Sequence, residues 1–212
     1  MELTALQLDV LGELANMGLG TAAASLSEMV NDEVVLAVPK VEFIARADVM
    51  NRLGLAPDKM LKGVEQVFSG TLRGHALLLF PDGHSLSLVR MLLANTGMSD
   101  SEYLNELEEE ALIEVGNIIL NATLSVFADT LEIELNTGLP NRVEGRGAGV
   151  IDAIFDLEPV PTGSEMLLIG IEFSVHEKPV RGFVALLLEV GSLLKLTESL
   201  DHYIEDKLGI AP

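Results

Sequence analysis

Two long stretches of the chain have the pattern of helices. From Leu3 to about Met29, apolar residues recur every three or four positions, and a helix repeats every 3.6 residues. The predicted buried stripe comprises Leu3, Leu6, Val10, Leu14 and Met17. A second long helix is predicted from about Glu102 to Asp129, with a glutamate-rich start that suits the positive end of the helix dipole.

The segments between and after these helices are rich in residues that favour strands. Predicted strands are Glu33–Ile44, Met60–Phe68, Thr71–Phe80, a strand beginning at Leu131–Leu135 and running toward Pro140, Met166–Val175 and Val180–Leu188. Shorter helices are predicted at Ala47–Leu53, Ser85–Ala94 and Gly191–Tyr203, a loop at Arg142–Gly149, and a short helix or strand at Val150–Asp156. Because successive strands are separated only by turns, we expect an α+β fold with a largely antiparallel sheet.

A polar motif in the first long helix and its following strand recurs farther along the chain. Each residue of the second copy lies 101 positions after its counterpart in the first. The first copy is Asp9, Glu13, Asn16 and Pro39, and the second is Glu110, Glu114, Asn117 and Pro140. A second landmark, Arg73–Gly83, recurs as Arg181–Gly191 with a step of 108, so the second half carries a small insertion. Two landmarks in the same order predict a tandem duplication. We expect one domain, 1–212, built of repeats 1–99 and 100–212 about a pseudo-twofold axis.

Each copy places two carboxylates and an asparagine on one helix face, because the members are four and three residues apart. Asparagine is a poor helix former, so its presence mid-helix in both copies indicates a function. Common ancestry alone would also preserve part of this pattern. Paired carboxylates can serve acid–base chemistry or hold a divalent metal. No histidine or third carboxylate has an evident place beside them, so we expect no metal site of the protein's own.

Three glycines, Gly12, Gly18 and Gly20, interrupt the first long helix. Each costs about 1 kcal/mol relative to alanine in a helix interior. The favoured interpretation is close packing against another helix. The alternative is space for the backbone of a partner near Asn16. A proline within a strand, as at Pro39, predicts a sheet edge or a bulge, since proline has no N–H to donate.

The composition narrows the class of protein. The chain has 212 residues, 49% of them hydrophobic, no cysteine, and a net charge of −20. The absence of cysteine excludes disulfides and thiol chemistry, and the negative charge disfavours nucleic acid as a partner. We see no signal peptide, and no run approaches the roughly 18 apolar residues of a membrane span. The sequence therefore predicts a cytoplasmic protein without membrane insertion.

The combined motif resembles that of the CheC/CheX/FliY family of chemotaxis phosphatases. The first copy matches at all four positions; the second matches at three, because Glu110 stands where the family has aspartate or serine. The resemblance implies hydrolysis of the aspartyl phosphate of phospho-CheY, a response regulator. It implies that Asn16 and Asn117 orient the attacking water, while Glu13 and Glu114 pair with the regulator's lysine. It also implies no cofactor of the protein's own, because the regulator supplies the Mg²⁺.

The resemblance leaves two functions open. The first is the phosphatase. The second is an adaptor that binds CheD, a receptor deamidase, or a component of the flagellar switch like FliY. The short length argues against the switch component, and phosphatase activity and CheD binding can coexist.

Overall fold

The computed structural model describes residues 3–45, 48–52, 58–81, 83–92, 104–147, 149–150, 165–175 and 178–209. The helices are α1 (Ala5–Val30), α2 (Val49–Arg52), α3 (His84–Leu92), α4 (Leu104–Thr130) and α5 (Val190–Tyr203), which continues into a π-helical turn (Ile204–Leu208). The strands are β1 (Val35–Ala45), β2 (Met60–Gly70), β3 (Gly74–Pro81), β4 (Leu135–Thr137), β5 (Asn141–Arg146), β6 (Glu165–Val175) and β7 (Lys178–Leu188).

In the described part of the chain, the strands form a single antiparallel sheet in the order β1, β6, β7, β3, β2. The short strands β4 and β5 both pair with the outer side of β2. The predicted α+β fold with a largely antiparallel sheet is confirmed. Because the hairpins β2–β3 and β6–β7 meet through β3 and β7, both halves of the chain share one sheet.

The pairing of β3 with β7 marks the pseudo-twofold axis. Leu77 lies opposite Ala185, and these two residues are 108 positions apart, the step of the second repeated landmark. A residue that pairs with its own repeat equivalent lies on the symmetry axis. One half of the sheet is therefore related to the other by rotation about the Leu77–Ala185 pair.

The main core lies between this sheet and a layer of helices on one face. The sheet contributes residues such as Val64, Phe68 and Leu78, and α1 and α4 contribute Leu14 and Ile119. A smaller cluster on the opposite face includes Leu61, Leu77, Leu79, Leu168 and Leu187. The helix-facing core thus carries most of the buried apolar surface and fixes α1 and α4 against the sheet.

The two long helices pack directly against each other. A Cβ added at Gly18 of α1 would lie 2.8 Å from the Cα of Thr123 on α4, closer than real Cβ atoms approach. The prediction of close helix packing is confirmed at this glycine. By contrast, a Cβ at Gly20 meets nothing within 4 Å among the described residues, and one at Gly12 meets only Val41, at 3.9 Å.

Both long helices also end in the same way. Asn31 and Glu132, which are 101 positions apart, adopt left-handed backbone conformations with φ of 51° and 54°. One residue later, Asp32 donates its N–H to the carbonyl of Ser27, and Ile133 donates to Ala128. These bonds close a Schellman-type end in each half.

Pro39 lies at an irregularity of an edge strand, as predicted, and Pro140 lies between the short edge strands β4 and β5. Across Pro39, the stretch from Ala37 to Lys40 in β1 spans one residue more than the partner stretch of β6. Across Pro140, the stretch from Thr137 to Asn141 likewise spans one residue more than its partner stretch of β2. The missing proline N–H is accommodated where the ladder is already interrupted.

Several predictions about local structure were wrong. Residues 141–146 form an edge strand on β2 rather than a loop, because Val143 and Gly145 alternate inward despite the charged residues between them. The strand after α4 begins at Leu135 rather than Leu131, since the left-handed turn at Glu132 intervenes. Met17 is not part of the buried stripe; it is 54% exposed. Residues 151–156 of the predicted Val150–Asp156 element lie outside the described residues.

The prediction that no segment approaches a membrane span was too strong for α4. Leu107–Thr130 is long and apolar enough by length and composition alone, with a mean hydropathy of 1.6. Forty-four per cent of its most apolar window is buried within the protein, and the core helix of a soluble protein passes the same test. The absence of membrane insertion stays a prediction.

The glycines of α1 yield a paired test of helix packing. We expect Gly18→Ala to lower the free energy of unfolding by about 1–3 kcal/mol, since the methyl group forces α1 and α4 apart. Gly20→Ala, two residues away, should instead raise it by about 1 kcal/mol, because the methyl group meets open space and alanine favours the helix. Denaturant unfolding of both variants measures this; effects of the same sign would contradict the packing interpretation.

Candidate functional site

The first ridge comprises Asp9, Glu13 and Asn16 on the outward face of α1. All three side chains are exposed, whereas Val10 and Leu14 on the opposite face are buried in the core. The helix begins with a capping box, in which Thr4 and Gln7 exchange hydrogen bonds of 2.8 and 3.2 Å. The amphipathic pattern of α1 therefore turns the ridge toward solvent, as its spacing predicts.

The first ridge lines a groove of about 610 Å³ between α1 and β1. Exposed Met17, Val38 of β1 and Tyr203 at the end of α5 contribute apolar surface to it. Lys40, the next residue after Pro39, also lines the groove, and its ammonium group lies 2.7 Å from the carboxylate of Glu42. The groove thus combines an acidic and amide ridge with an apolar wall, a surface suited to contact with a protein.

The second ridge comprises Glu110, Glu114 and Asn117 on α4. The two glutamates are exposed, and Asn117 is half-buried. Beside it, Arg142 of β5 lies 2.7 Å from Glu109 and also pairs with Glu144. Both ridges therefore lie on the surface of the long helices, but Asn117 is less accessible than its counterpart Asn16.

A chain of amide hydrogen bonds accounts for this difference. Asn121 donates from Nδ2 to Oδ1 of Asn117 at 2.7 Å, one helical turn apart. Gln66 of β2 donates from Nε2 to Oδ1 of Asn121 at 3.2 Å and to the carbonyl of Gly138 at 2.8 Å. We call these four residues the Asn117 relay. In the first repeat, Gly20 stands at the position of Asn121, and the described hydrogen bonds include none to the amide of Asn16.

A buried polar residue anchors each ridge-bearing helix. Gln7 of α1 is 3% exposed and donates from Nε2 to Asp201 of α5 at 2.7 Å. Its repeat equivalent in α4 is Glu108, also 3% exposed, which accepts from Ser85 of α3 at 2.6 Å and from Lys62 of β2 at 3.2 Å. Because each anchor lies two residues before the first residue of its ridge, it fixes the rotation of the helix where the ridge begins.

The arrangement suits positioning rather than covalent chemistry. An amide offers both a donor and an acceptor and does not titrate, so it can hold a water molecule at any physiological pH. An exposed carboxylate three residues away can bind a cationic group of a partner. The sequence analysis missed Asn121 and Gln66. The four-residue spacing of Asn117 and Asn121 could have indicated their contact, but Gln66 is 55 residues away from Asn121.

Comparison with known proteins agrees with this geometry. The model described as "CheC-like family" matches residues 6–42, the segment that holds the first ridge and Pro39. The "CheY-P phosphatase CheC" of Bacillus subtilis (strain 168) is 24% identical over 193 residues, which cover 90% of this chain and 91% of the relative. The chain is thus similar to the CheC-like family, in its first ridge by the family model and along most of its length by this relative.

Two further similarities concern a second relative and the fold. The "Putative CheY-P phosphatase CheC1" of Halobacterium salinarum is 23% identical over 150 residues, covering 71% of this chain and 75% of the relative. The crystal structure of FliY from Thermotoga maritima matches with a TM-score of 0.71 at 19% identity, covering 96% of this chain and all of that one. The chain thus shares its fold with this FliY structure over 96% of its length.

The anchor of the second ridge can be tested through stability. We expect Glu108→Ala to lower the free energy of unfolding by about 2–4 kcal/mol, because it removes the partner of Lys62 and a hydrogen bond to buried Ser85. The matched control is Glu109→Ala, which removes an exposed carboxylate paired with Arg142 and should change stability by less than about 0.5–1 kcal/mol. Urea unfolding compares the two; equal losses would show that Glu108 is no anchor.

Proposed function

We propose that this protein is a phosphatase that hydrolyses the aspartyl phosphate of phospho-CheY. The observation that carries the proposal is the pair of outward-facing ridges, each presenting a carboxylate and an amide at the same spacing on a long helix. Similarity to the CheC-like family and the names of two relatives support the same substrate.

In the proposed reaction, each ridge docks on the active site of a regulator. Asn16 or Asn117 holds a water molecule in line with the bond between phosphorus and the acyl oxygen. Water attacks phosphorus, that bond breaks, and the products are the aspartate carboxylate and inorganic phosphate. An acyl phosphate is reactive already, so catalysis needs positioning and charge stabilisation more than a nucleophile of the protein's own.

The glutamates supply docking in this scheme. Glu13 and Glu114 pair with the lysine of the regulator's active site, and Asp9 and Glu110 extend the acidic face. Mg²⁺ belongs to the regulator, so the phosphatase contributes no metal ligand. Pro39 and Pro140 act at a distance, through the bulges that shape the edge strands beside each ridge. We place the protein in the cytoplasm, where its regulator is phosphorylated.

The amides give the direct test. We expect Asn16→Ala and Asn117→Ala each to retain part of the activity, because the ridges lie on separate helices. The double variant should lose about 10²-fold in rate or more, the cost of a misplaced reacting group. Dephosphorylation of purified phospho-CheY measures the rate, and binding of the regulator should remain nearly unchanged. The control is Asn51→Ala, an exposed asparagine of α2 outside both ridges, which should leave the rate unchanged.

The glutamates should behave differently. Glu13→Ala and Glu114→Ala should weaken association with the regulator as well, because each removes a charge-assisted hydrogen bond worth roughly 1.5–3 kcal/mol. A well-folded Asn16→Ala/Asn117→Ala variant with full turnover would show that neither amide does the chemistry. Failure of the unmodified protein to accelerate dephosphorylation would refute the phosphatase. The adaptor that binds CheD would then be the better description, and binding of purified CheD would test it.

A further inference from the structure

We propose that the Asn117 relay is a positioning device: it fixes the carboxamide of Asn117 in one orientation, with its N–H₂ group toward the docked regulator. The inference rests on the proposed function and assigns new roles to Asn121 and Gln66. It also makes the two ridges unequal, since Asn16 has no such restraint among the described residues.

The orientation of the relay is set by its last member. The carbonyl of Gly138 can only accept a hydrogen bond, so Gln66 must turn its N–H₂ group toward it, at 2.8 Å. The same nitrogen donates to Oδ1 of Asn121, at 3.2 Å. Asn121 must then present its own N–H₂ group to Oδ1 of Asn117, at 2.7 Å. A backbone atom therefore determines which end of the Asn117 amide remains available.

The Asn117 relay includes a buried polar residue, Gln66, that lowers the stability of the fold. Gln66 is only 1% exposed, and its Oε1 has no hydrogen-bond partner among the described residues. A buried polar atom without a partner is destabilising, and an apolar residue of similar volume would avoid that cost. In the other half of the sheet, β6 avoids this cost, because it presents the apolar residues Leu167, Ile169 and Ile171 to the helices. The polar choice at Gln66 is explained by what it does for Asn121.

The bulge at Pro140 belongs to the same device. Gly138 lies between β4 and β5, where the ladder with β2 is interrupted. Its N–H still bonds to the carbonyl of Val67, at 2.8 Å, so its position is fixed, while its carbonyl accepts from the side chain of Gln66. The interruption at the motif proline thus provides the backbone acceptor that orients the amides.

The test uses the 212-residue chain with Asn16→Ala, so that only the second ridge acts. In this parent, Asn121→Ala should lower the kcat for phospho-CheY about tenfold and leave KM within about twofold, because the docking glutamate is untouched. Asn121→Asp should be at least as defective: it has the same shape and still accepts from Gln66, but it has no N–H₂ group for Asn117. Gln66→Met, which retains volume without a donor, should give an intermediate loss.

The control is Ser125→Ala, one turn beyond Asn121 and exposed, which should match the parent. Asn121→Ala should not lower stability, since alanine is the better helix former, so a loss of kcat cannot come from unfolding. The proposed role of the relay would be wrong if either Asn121 variant had the kcat of the parent, or if only KM changed.

A second measurement tests the relay without turnover. The NMR signals of the side-chain N–H₂ group of Asn117 can be assigned by their loss in Asn117→Ala. They should shift in Asn121→Asp, because the N–H₂ group of Asn117 turns toward the new carboxylate. Unchanged signals would overturn the inference. If Asn16→Ala/Asn117→Ala is as active as Asn16→Ala, the proposed catalytic role of Asn117 fails instead, and these signals still decide whether the relay exists.

Discussion

The direct contact of α1 with α4 determines which faces of the two long helices can carry a site. At Gly18 and Thr123 the backbones approach so closely that a single methyl group does not fit. Each helix therefore has one face against the sheet and another against its partner helix, and only the outward face remains for solvent. Polar residues placed there cannot contribute to the core. The two ridges occupy the faces that close packing leaves free.

Equivalent restraints in the two repeats fix the position of each ridge. The left-handed ends at Asn31 and Glu132 stop both helices at equivalent points, and the anchors Gln7 and Glu108 fix the beginnings. Between these restraints a ridge cannot rotate toward the core without breaking buried hydrogen bonds. The anchors differ chemically, an amide in one half and a carboxylate in the other, so the position has been retained while its partners have changed.

The parts of this structure that follow from local chemistry could be predicted from the sequence. The ridge Asp9, Glu13 and Asn16 follows from a 3.6-residue repeat, and the bulge at Pro39 follows from a missing N–H. The edge strand at residues 141–146 could not, because its charged residues face solvent and only its pairing with β2 makes it a strand. Exposed Met17 fits the apolar periodicity of the core stripe, yet it lies at the groove, so periodicity alone misassigned it.

The contact between Asn121 and Gln66 shows why the site was less predictable than the helices that carry it. A repeat comparison aligns Asn121 with Gly20 and suggests only a substitution at an exposed helical position. The structure adds a strand from elsewhere in the chain and a carbonyl beside a motif proline. Two copies of one motif have thus acquired different surroundings: the amide of Asn117 is held, whereas that of Asn16 has no hydrogen-bond partner among the described residues. The repeated motif determines where the ridges lie on the helices. Contacts with residues distant in the sequence determine the orientation of each amide.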